Sequence, residues 1–123
     1  MDSFGHLNNA VYFTFFEQVR IAYMRALEML SGHGPGELNF ILLETQCRFL
    51  KPCFLGDELT AQASIVRLGD SSCEMAYRLV RGQEPVAEGK GVLVYFDYHA
   101  GKKVSIPAEL RERIARIEGW EKA

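Results

Sequence analysis

Asp2-Ser3-Phe4-Gly5-His6-Leu7-Asn8-Asn9-Ala10-Val11-Tyr12 stands at the head of the chain, and an amphipathic run from Tyr12 to Leu30 follows directly. A carboxylate, a glycine, a histidine and two asparagines therefore precede a long predicted helix. Asn8 and Asn9 are N-cap residue types, whose side-chain oxygen accepts one of the amides that a first helical turn leaves without a partner. The other amides there carry the positive end of the helix dipole and stabilise an oxyanion or a phosphate. At about 100° per residue, Val11, Tyr12, Phe15, Phe16, Val19, Ala22, Tyr23, Ala26 and Leu30 share one wide arc, the predicted core face. Phe13, Ile21 and Met24 fall outside it, on a side shared with Glu17 and Glu28, and hint at a partner surface and an oligomer.

Beyond the helix the period changes. Ser31-Gly32-His33-Gly34-Pro35-Gly36 is a cluster of helix breakers. Leu43, Thr45, Cys47 and Phe49 then alternate with Glu44, Gln46 and Arg48, as in a strand with one buried face. The same alternation returns in Leu59, Ala61, Ala63 and Ile65, and in Cys73, Met75, Tyr77 and Leu79, with turns at residues 52–57 and 69–71. After a turn at residues 82–85, Val86 to Tyr98 reads as a long strand with Ala87, Gly89 and Gly91 on one face. Small residues there let another element approach closely, and the long helix is the expected one. A turn at residues 100–103 precedes a short helix opened by Pro107, with Leu110, Ile114 and Ile117 as its apolar stripe. A helix followed by four consecutive strands is an α+β pattern with a mostly antiparallel sheet.

Size and composition set bounds on function. A chain of 123 residues is expected to form a single domain over 1–123. The net charge of −2 lacks the basic excess of a nucleic-acid-binding protein. No apolar run approaches the roughly 20 residues of a membrane-spanning helix, and no signal peptide is visible. Cys47, Cys53 and Cys73 are odd in number and lack Cys-x-x-Cys spacing, which argues against a disulfide framework or a zinc site and for reduced thiols in a cytoplasmic protein.

The pattern Asp-x-x-Gly-His-Leu-Asn-Asn-Ala-x-Tyr, with Phe-Glu-Gln-Val-Arg on the helix, resembles the hotdog-fold acyl-CoA thioesterases of the 4-hydroxybenzoyl-CoA thioesterase type. Arg48-Phe49-Leu50-Lys51-Pro52, Gly56-Asp57-Glu58-Leu59 and Glu88-Gly89-Lys90-Gly91-Val92 extend the likeness, in order, to about Pro107. The resemblance implies a long helix wrapped by a curved, mostly antiparallel sheet, with a short C-terminal helix. It also implies hydrolysis of an acyl- or aroyl-CoA to free acid and CoA, without metal or redox cofactor, in a homodimer or homotetramer. Members usually begin with one further strand that leads into the Asp. Here Met1 directly precedes Asp2, so the first strand is expected to be missing and Met1 to be an internal methionine of a longer natural chain.

By resemblance Asp2 matches the catalytic carboxylate, which attacks the thioester carbonyl or deprotonates a water. Backbone amides near Asn9 would form the oxyanion hole, with Gly5 bending the chain so that they face the thioester. His6 would bond the carboxylate, the leaving thiolate or a backbone carbonyl. Asn8 and Asn9 have capping roles, and one of them would position water. Tyr12, Arg48, Lys51 and Lys90 are the expected substrate contacts, the cations drawn from a pool with Arg67 and Arg81 that would meet the CoA phosphates. Two alternatives stand beside hydrolysis: a hotdog hydratase or dehydratase acting on the same thioesters, and a non-catalytic module that binds acyl thioesters. The hydratase pattern, roughly Gly-Asp-x-Asn-Pro-x-His, is not matched by Asp2 to Asn9.

Overall fold

The computed structural model describes residues 8–31 and 38–120. The element order is α1 (Asn9–Ser31), β1 (Leu38–Phe49), β2 (Leu59–Leu68), β3 (Ser72–Arg81), β4 (Glu84–Asp97), β5 (Lys102–Lys103) and α2 (Ala108–Glu118). The sheet is antiparallel throughout, in the order β1-β4-β3-β2, with β5 added against the end of β4. This is the expected α+β hotdog layout, a long helix on a curved sheet with a short helix at the end.

Register explains why the helix lies where it does. Rows such as Cys47–Gly89–Tyr77–Ala63 and Phe49–Ala87–Leu79–Ala61 run across the four long strands on one face. α1 packs on that face, above β2 and β3. Phe16 lies over Gly89 and stacks on Tyr77 with ring centroids 4.8 Å apart. A Cβ on Gly89 would sit 2.7 Å from the Phe16 ring, with the Gln46 carbonyl closer still. The glycine therefore lets helix and sheet close on each other, as its small size predicted.

Several expectations shift by small amounts, each for a local reason. α1 begins at Asn9 rather than Tyr12, because Asn8 is the cap. The buried centre of its arc is Tyr12, Phe16 and Leu27, while Ala22 and Ala26 are exposed. The angular reading passed over Leu27, and Met24, set outside the arc, packs against the core. On β1 the register slips between Leu42 and Glu44, which puts Leu43 in a bulge and leaves it exposed; the inner face is Phe40, Leu42, Thr45, Cys47 and Phe49. The pairing of β5 was not foreseen, since two lysines carry no strand pattern. In α2, Leu110 and Ile114 are buried, but Ile117 and Trp120 remain partly exposed.

The carboxyl half of α1 is clamped. Glu118 accepts the Tyr23 hydroxyl at 2.5 Å and the Ile65 amide at 3.0 Å, so one carboxylate ties α1, α2 and β2 together. No helix among the described residues is long and apolar enough to cross a membrane.

Candidate active site

The amino end of α1 is built differently. Asn8 Oδ1 accepts the Ala10 amide at 2.9 Å, and the Asn8 carbonyl accepts the Val11 amide at 3.0 Å. Among the described residues, the Asn9 amide has no acceptor. It is an N–H donor at the positive end of a long helix, available to an oxyanion.

One turn on, Tyr12 is buried, with its ring edge-on to Phe49 at 4.8 Å and its hydroxyl against Cys53. Burial, reinforced by the Cys53 thiol, pushes the Tyr12 hydroxyl up to about 12, so it stays a neutral donor at physiological pH. Burial likewise raises the Cys47 thiol to about 11 and the Cys73 thiol to about 12. All three cysteines are free, and these two are protonated, not poised as nucleophiles. Phe49 is itself exposed, as are Leu50, Phe54 and Leu55 in the segment that carries Cys53, the last by 75%. Phe13 on the helix is exposed as well.

The loop carrying Cys53 is held by charge. Arg81 donates to Asp57 at 3.0 Å, to Glu84 at 2.8 Å and to the Pro52 carbonyl at 3.2 Å. Asp57 also accepts the Phe54 amide, and that bond, followed by Arg81, holds its carboxyl below the usual range. Lys51 pairs with Glu84 and, ahead of Arg81, lowers that carboxyl too. Residues 52–57 are thereby pinned beside the helix end.

The sequence-derived candidates are placed as follows. Asn8, Asn9 and Tyr12 cluster at the helix start. Asp2, Gly5 and His6 lie outside the described residues, as does the breaker cluster at residues 32–36. Arg48 and Lys90 are on the opposite face of the sheet from α1, where Arg48 faces Glu88 at 3.5 Å. They line, with Gln62 and Arg78, an open trough of about 1050 Å³ on that outer face. The sheet separates it from the helix amides, so we do not place carbonyl chemistry there. Lys51 and Arg81 are engaged by carboxylates. Within one chain these cations do not converge on the helix end.

Sequence reasoning missed Cys53 and Phe49 as the wall beside Tyr12, since a free cysteine and a strand-end aromatic carry no motif. It also missed Arg20, which turns inward from α1 to Tyr77. Among the described residues, no group of three or more His, Cys, Asp or Glu side chains is arranged to hold a metal.

The family model of the thioesterase-like superfamily matches residues 1–114. YsmA, an uncharacterised Bacillus subtilis protein, is 32% identical over 115 residues, 92% of this chain and 76% of its own. The Escherichia coli long-chain acyl-CoA thioesterase FadM is 23% identical over 119 residues, 95% of this chain and 90% of its own. A Thermus thermophilus thioesterase, solved with coenzyme A and zinc, superposes with a TM-score of 0.83 at 34% identity, covering 97% of this chain and 86% of that one.

Proposed function

The chain belongs to the thioesterase-like superfamily and is a thioester hydrolase acting on acyl-CoA, and from that premise we propose how its own residues do the work. The thioester carbonyl sits at the start of α1, with its oxygen toward the Asn9 amide. Asp2 either attacks the carbonyl carbon, giving a mixed anhydride that water then opens, or takes a proton from the attacking water. Either way the C–S bond breaks, the oxygen of water ends in the free acid, and the CoA thiolate takes up a proton. His6 assists at the carboxylate or the leaving thiolate, and the role taken for Gly5 is to let the amides face the thioester. Asn8 keeps the helix end in shape. Tyr12 walls the reacting group.

The observation that supports this reading is the Asn8-capped helix start, with the Asn9 amide unclaimed among the described residues and Tyr12, one turn on, meeting the exposed Phe49. A hydrogen-bond donor already aimed at the developing charge contributes on the order of 3 kcal/mol to such a transition state. The acyl or aroyl group lies along the groove between α1 and the inner face of β1. Arg48, Lys51 and Lys90 meet the CoA phosphates as part of an assembly, since one chain does not gather them. We take 1–123 as one domain working as a homodimer or homotetramer, with exposed Phe13 and Ile21 as apolar contact residues. The free cysteines suit the cytoplasm, and neither nucleic acid nor membrane is part of the reading.

The test is thiol release from a panel of aryl, short-chain and long-chain acyl-CoAs. Steady release with free acid as product is expected. Asp2→Asn should lower kcat by about 10²–10⁴-fold with an unchanged melting temperature. Unchanged release in that variant would remove Asp2 from its role, and a hydroxyacyl-CoA product would point to a hydratase.

A further inference from the structure

Cys53 is fully buried, although Pro52 and Phe54 on either side of it are exposed. Both of its peptide bonds are held from one side chain. Arg81 is the last residue of β3 and stands opposite Glu84, the first of β4, across the turn at residues 82–83. Its guanidinium donates to the Pro52 carbonyl at 3.2 Å, which belongs to the peptide bond before Cys53. It also donates to Asp57 Oδ2 at 3.0 Å, and the same oxygen accepts the Phe54 amide at 2.9 Å, in the peptide bond after Cys53. Glu84 accepts from the guanidinium at 2.8 Å and from Lys51 at 2.5 Å. At the start of the segment, the Leu50 and Lys51 amides share the Val86 carbonyl at 3.0 and 3.1 Å. Cys53 so held meets Tyr12, whose hydroxyl lies against its amide and thiol and whose ring is edge-on to Phe49 at 4.8 Å. Tyr12 follows Asn9 by three residues and is its neighbour on the same side of α1.

We infer that Arg81 is a positioning residue of the hydrolase: by fixing the chain on both sides of Cys53 it sets where Tyr12 rests, and so where the first turn of α1 presents the Asn9 amide. The inference rests on the thioesterase reading and adds a residue that acts through others. The path is short. Arg81 holds the Pro52 carbonyl directly and the Phe54 amide through Asp57, Cys53 lies between them against Tyr12, and Asn9 is one turn back. Partly exposed ion pairs contribute little to stability, so the consequence of this cluster is geometric. A planar guanidinium directs N–H groups to several acceptors at once, which an ammonium on a flexible stem does not reproduce. Misplacing a group that meets the reacting carbonyl by about 1 Å slows a reaction on the order of 10²-fold. A donor to the developing oxyanion acts in the transition state, so its displacement is read in kcat more than in KM.

The experiment uses the full chain and the acyl-CoA that the wild type hydrolyses fastest. Kinetics, melting temperature and a timed pulse of N-ethylmaleimide, read by peptide mass, are measured for the wild type, Arg81→Met, Arg81→Lys and Arg111→Met. Arg111 is the control, since it donates to the carbonyls of Ile106, Gly69 and Asp70 and ties α2 to the β2–β3 turn. Arg81→Met should lower kcat at least about tenfold with KM within about twofold of wild type. Cys53 should then label at least about tenfold faster while Cys73 keeps its rate. Arg81→Lys should recover part of both changes. Arg111→Met should lower the melting temperature and leave kcat within about twofold. An unchanged kcat in Arg81→Met would overturn the proposal, whatever the labelling shows. So would a fall in kcat without faster Cys53 labelling, or an equal fall in Arg111→Met. If Arg81→Met does not fold, Arg81→Lys and Asp57→Asn decide by the same readouts, with smaller changes expected in the same direction. A wild type that releases no CoA from any thioester ends the hydrolase reading and this role with it. A wild type that hydrolyses, beside an Arg81→Met that keeps its kcat, rejects the Arg81 role alone.

Discussion

The two halves of α1 do opposite things with their polar groups. At the carboxyl half, Tyr23 meets Glu118, and the same carboxylate takes the Ile65 amide, so these two part-buried donors are matched. At the amino half, Asn8 satisfies the Ala10 and Val11 amides, the Asn9 amide has no acceptor among the described residues, and Tyr12 meets the exposed Phe49. A donor paired within the fold contributes stability; one left over among the described residues has something to offer a substrate. The contrast extends to two arginines. Arg81 is shared between two carboxylates and a carbonyl and pins a loop, whereas among the described residues Arg20 donates to the Tyr77 phenol.

This contrast can be broken experimentally. Phe16 belongs to both halves, since it fills the space over Gly89 at the centre of the contact. Phe16→Ala should destabilise the fold by about 3–5 kcal/mol in denaturant unfolding, with activity lost alongside. Glu118→Ala leaves the part-buried Tyr23 hydroxyl and the Ile65 amide without this partner, and should lower stability by about 1–3 kcal/mol while kcat stays near wild type. An equal loss of kcat in a variant that remains folded would show that the carboxyl half is not purely structural. Asn8→Ala should cost about 1 kcal/mol of stability, and the reaction should slow more than that loss accounts for, because the cap also shapes the donor end.

The smallest effect expected is on pH dependence. Asp57, held low chiefly by the Phe54 amide, and Glu84, held low chiefly by Lys51, both have depressed folded-state values. Their stabilisation is present above the unfolded carboxylate range of about 4 and is lost as pH falls through the folded values. Melting temperature should therefore drop in acid, and Arg81→Met should flatten that part of the profile.

Much of the fold was legible from the chain. Alternation placed the inner faces of β2 and β3 because side chains on a pleated strand have a period of two whatever lies beyond them. The glycines of β4 announced a close approach because nothing but hydrogen fits where Phe16 comes down. Less of the site was legible. Leu43 looked inward until the bulge moved it out, and a bulge has no reliable pattern in a single sequence. Arg48 and Lys90 looked like ligand cations, and only the register shows them on the far face of the sheet.

By itself, then, the sequence determined the helix and its cap, the strand faces and the family motif, since these depend on neighbours close along the chain. Which cations are paired, and with what, was decided by tertiary structure. Arg20 and Tyr77 come from two different elements, and pairing between distant residues depends on how strands register and how a helix crosses them.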